Sequence, residues 1–293
     1  MEWTIDLIFQ QAAAGLALGS IYVLLAVGLT LIFGLLNVVN FSHGAFYMLG
    51  AYLGFVTLEY TQSFTAALLV AALGGAAIGG LFERFLIRRL YGKGIDYPLL
   101  LTFGAAYVIV DAVRMIFGRE GVHIATPEAL SEVVDLGFGL LPGYRLFLIA
   151  LCLGLVLLLW LLLERTRWGL IIRAGAQDGT IIRILGIDIS RVWLMAFALG
   201  SGLAALSGIL AAPMRGVHPD MGSAILVDAF VVTVVGGMGS LSGAVLAGLL
   251  IGMVVSFVTL FAPEFQELSI YVLMTLMLLA RPQGLLGRRG ALG

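Results

Sequence analysis

Arg165-Thr166-Arg167-Trp168-Gly169-Leu170-Ile171-Ile172-Arg173-Ala174-Gly175-Ala176-Gln177-Asp178-Gly179-Thr180-Ile181-Ile182-Arg183-Ile184-Leu185-Gly186-Ile187-Asp188-Ile189-Ser190-Arg191 is the stretch on which the fold turns. Its length and isoleucine content would suit a membrane span, which needs roughly 20 apolar residues. Its charges would not. Arg173, Asp178 and Arg183 would sit near the bilayer centre, each at a cost of about 2.5–3.5 kcal/mol on insertion scales. A partly helical segment outside the bilayer avoids that cost.

Around this stretch the chain is overwhelmingly apolar. Of its 293 residues 61% are hydrophobic and 11% charged, with a mean hydropathy of +1.10. Soluble domains carry about 25% charged and about 45–50% apolar residues, so a water-soluble surface cannot be built from this composition. An all-α, polytopic membrane helical bundle is expected, with about eight to nine transmembrane segments, some of them broken, in one transmembrane domain over 1–293. The candidate spans are 9–34, 41–59, 64–83, 97–117, 146–163, 192–212, 224–238, 241–261 and 268–280. The run 224–238 is short and carries Asp228, so a half-helix and a full crossing are both open for it. The start Met1-Glu2-Trp3 has no basic region before its apolar run, and no cleaved signal peptide is expected. Cys152 is the one cysteine and lies within an apolar run, which reads as a packed thiol.

The basic residues set the sidedness. Arg84, Arg88, Arg89 and Lys93 follow the third span. Arg165, Arg167, Arg173, Arg183 and Arg191 follow the fifth, and Arg281, Arg288 and Arg289 end the chain. With nine crossings all three clusters share one side, which the positive-inside rule makes cytoplasmic. The N-terminus, with Glu2 and Asp6, and the acid-rich loops 118–145 and 262–267 then lie outside. The net charge of −1 and the lack of a basic patch with interleaved aromatics give no reason to expect a nucleic-acid partner.

Within the cytoplasmic stretch, helical spacing puts Ala174, Gln177, Ile181 and Leu185 on one stripe. Gly175, Gly179 and Gly186 permit bends. One or two short amphipathic helices are expected, with an apolar face that nothing else in the chain covers. Such a face marks a docking partner, or else a helix lying on the lipid surface.

Several stretches carry a family resemblance. They are Asn40-Phe41-Ser42-His43-Gly44 with Leu49-Gly50-Ala51-Tyr52, then Leu101-Thr102-Phe103-Gly104. Next come Thr166-Arg167-Trp168-Gly169 with Ile172-Arg173-Ala174, Gln177-Asp178 and Ile184-Leu185-Gly186-Ile187-Asp188. The last are Val235-Gly236-Gly237-Met238-Gly239-Ser240-Leu241-Ser242-Gly243-Ala244 and Arg281-Pro282-Gln283-Gly284-Leu285. Together they resemble the LivH-type permeases of branched-chain amino acid ABC transporters. The resemblance implies the ABC importer permease fold in the cell (inner) membrane of a bacterium or archaeon. It also implies a second related permease, hence a heterodimer, two ATPase subunits, and a soluble substrate-binding protein on the outer face. Arg173, Ala174, Gln177, Asp178, Ile181, Leu185 and Gly186 would be the ATPase-coupling residues. ATP and Mg would be bound by the ATPase subunits and no cofactor by this chain.

The residues themselves agree with a division of labour. A nucleotide site would need a glycine-rich loop ending in Gly-Lys-Ser/Thr. The lone Gly92-Lys93 is followed by Gly94 and reads as a basic turn. Energy must come from another subunit or from an ion gradient. Gradient-driven carriers place ionisable groups within spans. Asp111 and Arg114, three apart on the fourth span, read instead as an ion pair. Three histidines, His43, His123 and His218, and no protease or hydrolase motif leave little for an intramembrane enzyme. Adjacent Ser42 and His43 are not a nucleophile–base pair.

The 39 glycines mostly read as close helix packing, as at Gly74, Gly75, Gly79, Gly80, Gly200, Gly202, Gly208, Gly243, Gly248 and Gly252. Two clusters, 34–44 and 236–243, interrupt spans instead. Broken segments at corresponding positions point to a transport path. Asn37, Asn40, Ser42, His43, Gly236 and Gly237 are therefore candidate path residues, joined by Thr102 of the matching stretch. The competing reading is ordinary cytoplasmic-side turns that use Asn and Gly for backbone reasons. The outer loop 118–145 is long for a simple connection and is a candidate contact for the binding protein or a loop packed on its own chain. Alternative solutes are urea, short amides or sugars, and the alternative mechanism is a gradient-driven secondary carrier.

Overall fold

The computed structural model describes residues 5–36, 38–135, 140–177 and 179–287. A helix lies at each of the nine hydrophobic runs. The first five are α1 (Ile5–Leu36), α2 (His43–Thr61), α3 (Phe64–Phe85), α4 (Asp96–Phe117) and α5 (Gly143–Arg165). Two short helices follow, α6 (Arg167–Gln177) and α7 (Gly179–Ile184), where the sequence called for cytoplasmic amphipathic pieces. Then come α8 (Ile189–Arg215), α9 (Met221–Gly236), α10 (Leu241–Phe261) and α11 (Gln266–Ala280). Among the described residues α1, α3, α4, α5, α8 and α10 are long and apolar enough to cross a bilayer. With 16 residues, α9 reaches only about 24 Å at 1.5 Å per residue.

Local chemistry sets the helix ends. Ser63 caps α3 by accepting from the Ala66 amide, Asp188 caps α8 through the Ser190 amide, and Ser240 caps α10 through the Gly243 amide. Each satisfies a donor that the helix start leaves open. Gly118 and Gly216, at φ 84° and 73°, end α4 and α8 in a region that costs glycine little. The loop between α4 and α5 forms a small hairpin, β1 (Val133–Asp135) antiparallel to β2 (Leu140–Pro142).

The chain forms two compact units. One comprises Met1–Ala26, Ala125–Val156 and Asp228–Gly293, the other Val27–Ile124 and Leu157–Val227. In the second, α2, α3 and α8 pack backbone to backbone. A side chain at Gly50 would strike the backbone of Ala205, one at Gly208 would strike Tyr47, and one at Gly79 would strike Ser201. The rings of Phe46, Phe82 and Phe197 fill the space beside these crossings, with centroids 5.7–6.2 Å apart. Small residues bring the helices together because lipid gives apolar side chains no reason to prefer protein over bilayer.

In the first unit the opening turns of α1 pack on α10 by the same means. Gly15 and Gly19 oppose Gly252, and Gly248 opposes Val23. One end of this seam carries reciprocal hydrogen bonds: the Gln11 amide donates to the Ser256 carbonyl, and the Ser256 hydroxyl donates to the Gln11 carbonyl.

Candidate functional site

Four of the candidate path residues come together in the second unit. The Asn40 side-chain oxygen accepts from the Ser42 amide at 3.1 Å, shaping the turn into α2. Ser42 stands at the N-cap of α2 but makes no cap bond. Its hydroxyl instead donates to the Thr102 carbonyl at 2.7 Å. The Phe41 amide donates to the Thr102 hydroxyl at 3.1 Å, and the Phe41 and Phe103 rings meet edge-on at 5.9 Å. Asn40, Ser42, His43 and Thr102 are fully buried. The arrangement is a polar knot that ties the start of α2 to α4. The Asn40 side-chain nitrogen has no partner among the described residues. His43 packs where Gly28 of α1 leaves room for it.

Gly236 and Gly237 lie in the other unit. Gly237 has φ +100°, and a side chain there would strike Gly287. After α11 the chain doubles back on the end of α9, with Leu285 N–H donating to Val235 O at 2.8 Å and Leu286 N–H to Gly236 O at 3.1 Å. Two of the family-like stretches, 235–244 and 281–285, are thus stitched together by backbone hydrogen bonds. Asn37 lies outside the described residues.

The residues expected to couple to an ATPase lie on or beside α6, α7 and the turn after them. Thr166 accepts from the Gly169 amide at 3.2 Å, and a side chain at Gly169 would strike Leu163, so α6 folds back tightly on the end of α5. Arg173 secures that fold. Its guanidinium pairs with Glu164 at 2.9 Å and donates to the Leu163 carbonyl. Ala174 is half-buried, and Leu185 is exposed. Gly186 is exposed with φ +77° and open space around it, so its need for glycine is conformational. The stripe from Ala174 to Leu185 is divided between two helices, because α6 ends at Gln177 and α7 begins at Gly179. Asp178 lies outside the described residues, as do the side chains of Gln177 and Ile181. Among the described side chains of this segment, Trp168, Leu170, Ile184 and Leu185 are the large apolar ones that are exposed.

Three features were not read from the sequence. Glu83 at the end of α3 is fully buried and receives the Arg88 guanidinium through two bonds, at 2.8 and 3.2 Å, and the Tyr91 hydroxyl at 3.0 Å. Arg88 also donates to the Ser190 carbonyl at 3.1 Å. Burial, then the nearby Glu83 charge, push the Tyr91 phenol above its ordinary pKa. The Tyr91 ring lies 4.4 Å from Trp193, and the Arg183 guanidinium of α7 sits 5.8 Å above the Trp193 ring. The available signal was an acid followed five residues later by an arginine at a span end.

The expected Asp111–Arg114 pair forms at 2.8 Å, and Asp220, which was missed, joins it at 2.5 Å. Finally, Tyr22 in α1 donates its hydroxyl to Asp228 Oδ2 at 3.0 Å. Asp228 stood out in the sequence, but its partner did not.

Residues 11–280 match the family described as branched-chain amino acid transport system / permease component. The chain is similar to the high-affinity branched-chain amino acid transport system permease protein BraD of Pseudomonas aeruginosa, 32% identical over 95% of both chains. LivH of Salmonella typhimurium is 29% identical over 95% of both chains. LivM of Escherichia coli is 30% identical over 91% of this chain and 68% of that protein. Among solved structures, PsaBC from Streptococcus pneumoniae in complex with Fab has a TM-score of 0.48 and 14% identity, covering 91% of this chain and 89% of that one.

Proposed function

We propose that this chain, which belongs to the family of branched-chain amino acid transport permease components, is a membrane-spanning subunit of an ATP-driven importer of branched-chain amino acids. The observation that carries the mechanism is the pair α6–α7. It exposes Trp168, Leu170, Ile184 and Leu185 yet is fastened to long helices at both ends. Arg173 and Glu164 fasten α6 to α5, and Arg183 over Trp193 fastens α7 to α8. A push on the exposed face of this segment is therefore delivered to two spans. That is what a permease without a nucleotide site needs from a motor protein.

In this reading two ATPase subunits bind ATP and Mg and dock on α6–α7. A second, related permease completes the path, and similarity to both LivH and LivM relatives supports such a pair. A soluble binding protein delivers the solute on the outer face. The arginine-rich side, with the C-terminus, is cytoplasmic, and the N-terminus is outside.

The test is reconstitution. The chain is purified with its second permease and ATPase subunits and placed in proteoliposomes with ATP on the ATPase side and binding protein on the other. Labelled leucine should enter only with ATP, and urea, short amides and sugars should not compete. Failure of the ATPase subunits to bind, or leucine uptake that ignores ATP, would overturn the proposal.

A further inference from the structure

We infer that Asp228, oriented by Tyr22, is a cation-recognition point on the solute path, where its carboxylate receives the α-ammonium group of the amino acid in transit. The inference rests on the importer reading and adds to it which group of the solute is read inside the membrane.

Asp228 is the eighth of the sixteen residues of α9, within Leu226-Val227-Asp228-Ala229-Phe230. At 1.5 Å per residue it lies about 10–12 Å from either end of the helix. Tyr22 is the eighteenth of the thirty-two residues of α1, also near the middle. The pair therefore meets near the middle of both apolar helices, and within a membrane segment an acidic side chain is costly and is kept for a function or a partner.

The two side chains differ in exposure. Tyr22 is buried, whereas Asp228 is half-buried, so part of it reaches the surface of this chain. Acidic side chains within membrane segments almost always face a protein interior or a water-filled cavity rather than lipid.

The chemistry fits the solute. A branched-chain amino acid crosses as a zwitterion with an apolar side chain, and its ammonium group is its one strong donor. A carboxylate accepts an ammonium N–H through a charge-assisted bond. The Tyr22 hydroxyl at 3.0 Å from Oδ2 fixes the plane of that carboxylate.

The test uses the complete transporter in proteoliposomes. In a Cys152→Ala background, Asp228→Cys is treated with a cationic, membrane-impermeant methanethiosulfonate in each nucleotide state. Modification is expected in at least one state, with leucine slowing it severalfold. Uptake per assembled complex should fall at least tenfold in Asp228→Asn and severalfold in Tyr22→Phe, and recover in part in Asp228→Glu. Should Asp228→Asn fail to assemble, the cysteine variant still decides. Absence of modification in every state, modification indifferent to leucine, or wild-type uptake by Asp228→Asn would each overturn the assignment. A transporter whose wild-type form took up no leucine would instead sink the importer reading.

Discussion

Glu83 has no contact with solvent, yet its partner Arg88 keeps 32% of its side chain exposed. Removing one partner of a buried pair costs about 3–5 kcal/mol, because the other charge is left without compensation. Here solvent reaches the guanidinium, so Arg88→Ala should cost about 2–4 kcal/mol, read as a lowered melting temperature in detergent. Tyr91 adds a pH dependence. Its phenol titrates above the ordinary 10.0, raised first by burial and then by Glu83. The folded state thus holds its proton more tightly than the unfolded chain does. That share of stability is complete below pH 10 and is lost as the pH climbs beyond it. Tyr91→Phe should melt lower at neutral pH but lose less further stability than wild type between about pH 10 and 11. Little of this was legible from sequence. A charged residue at the close of an apolar run reads as the point where a span leaves the bilayer, and that position is silent on whether the charge is then buried. Asp111 and Arg114 were legible because both lie on one helix at a spacing that makes them meet.

At the scale of elements, the glycines separate into two groups that composition cannot distinguish. Gly202 faces Ala72 and Ala76 of α3, with the Ala72 carbonyl 3.0 Å from where a Cβ would stand. Gly154 on α5 has nothing within 4 Å. Gly202→Val should therefore force α3 and α8 apart and cost about 1–3 kcal/mol or more, seen as reduced yield and a lower melting temperature. Gly154→Ala should be neutral, or stabilising by up to about 1 kcal/mol through helix propensity. All nine hydrophobic runs became helices at nearly the expected boundaries, because an uninterrupted apolar run in a membrane chain leaves the backbone few other ways to satisfy itself. Which helices touch was not legible. Lipid-facing and protein-facing side chains are both apolar, so no polar stripe marks the outside as it does in a soluble bundle. The two interrupted clusters were legible as breaks but not by role. The structure shows the 40–43 turn tied to Thr102 and the 236–237 turn tied to residues 283–287.

For the molecule as a whole, the decisive sequence feature was a segment too charged to enter the bilayer. Its structure turns that reading into a separable test. Ile184 at the end of α7 and Leu185 in the turn after it are 79% and 67% exposed, while Ile182 of α7 is 3% exposed. If α7 is held only by its own chain, the exposed pair has no function and charge there is harmless. If an ATPase subunit covers it, a carboxylate at either position is driven into an apolar interface without a partner. Ile184→Asp and Leu185→Asp should therefore leave membrane insertion and the melting temperature of the isolated chain within about 0.5 kcal/mol of wild type, as expected for exposed positions. They should abolish co-purification with the ATPase subunits and lower ATP-driven uptake at least tenfold, a loss of at least about 1.4 kcal/mol in coupling. Ile182→Asp should behave oppositely and unfold the segment before any partner is involved. Uptake that survives both exposed substitutions would move the docking surface elsewhere, with Trp168 and Leu170 of α6 next to be substituted.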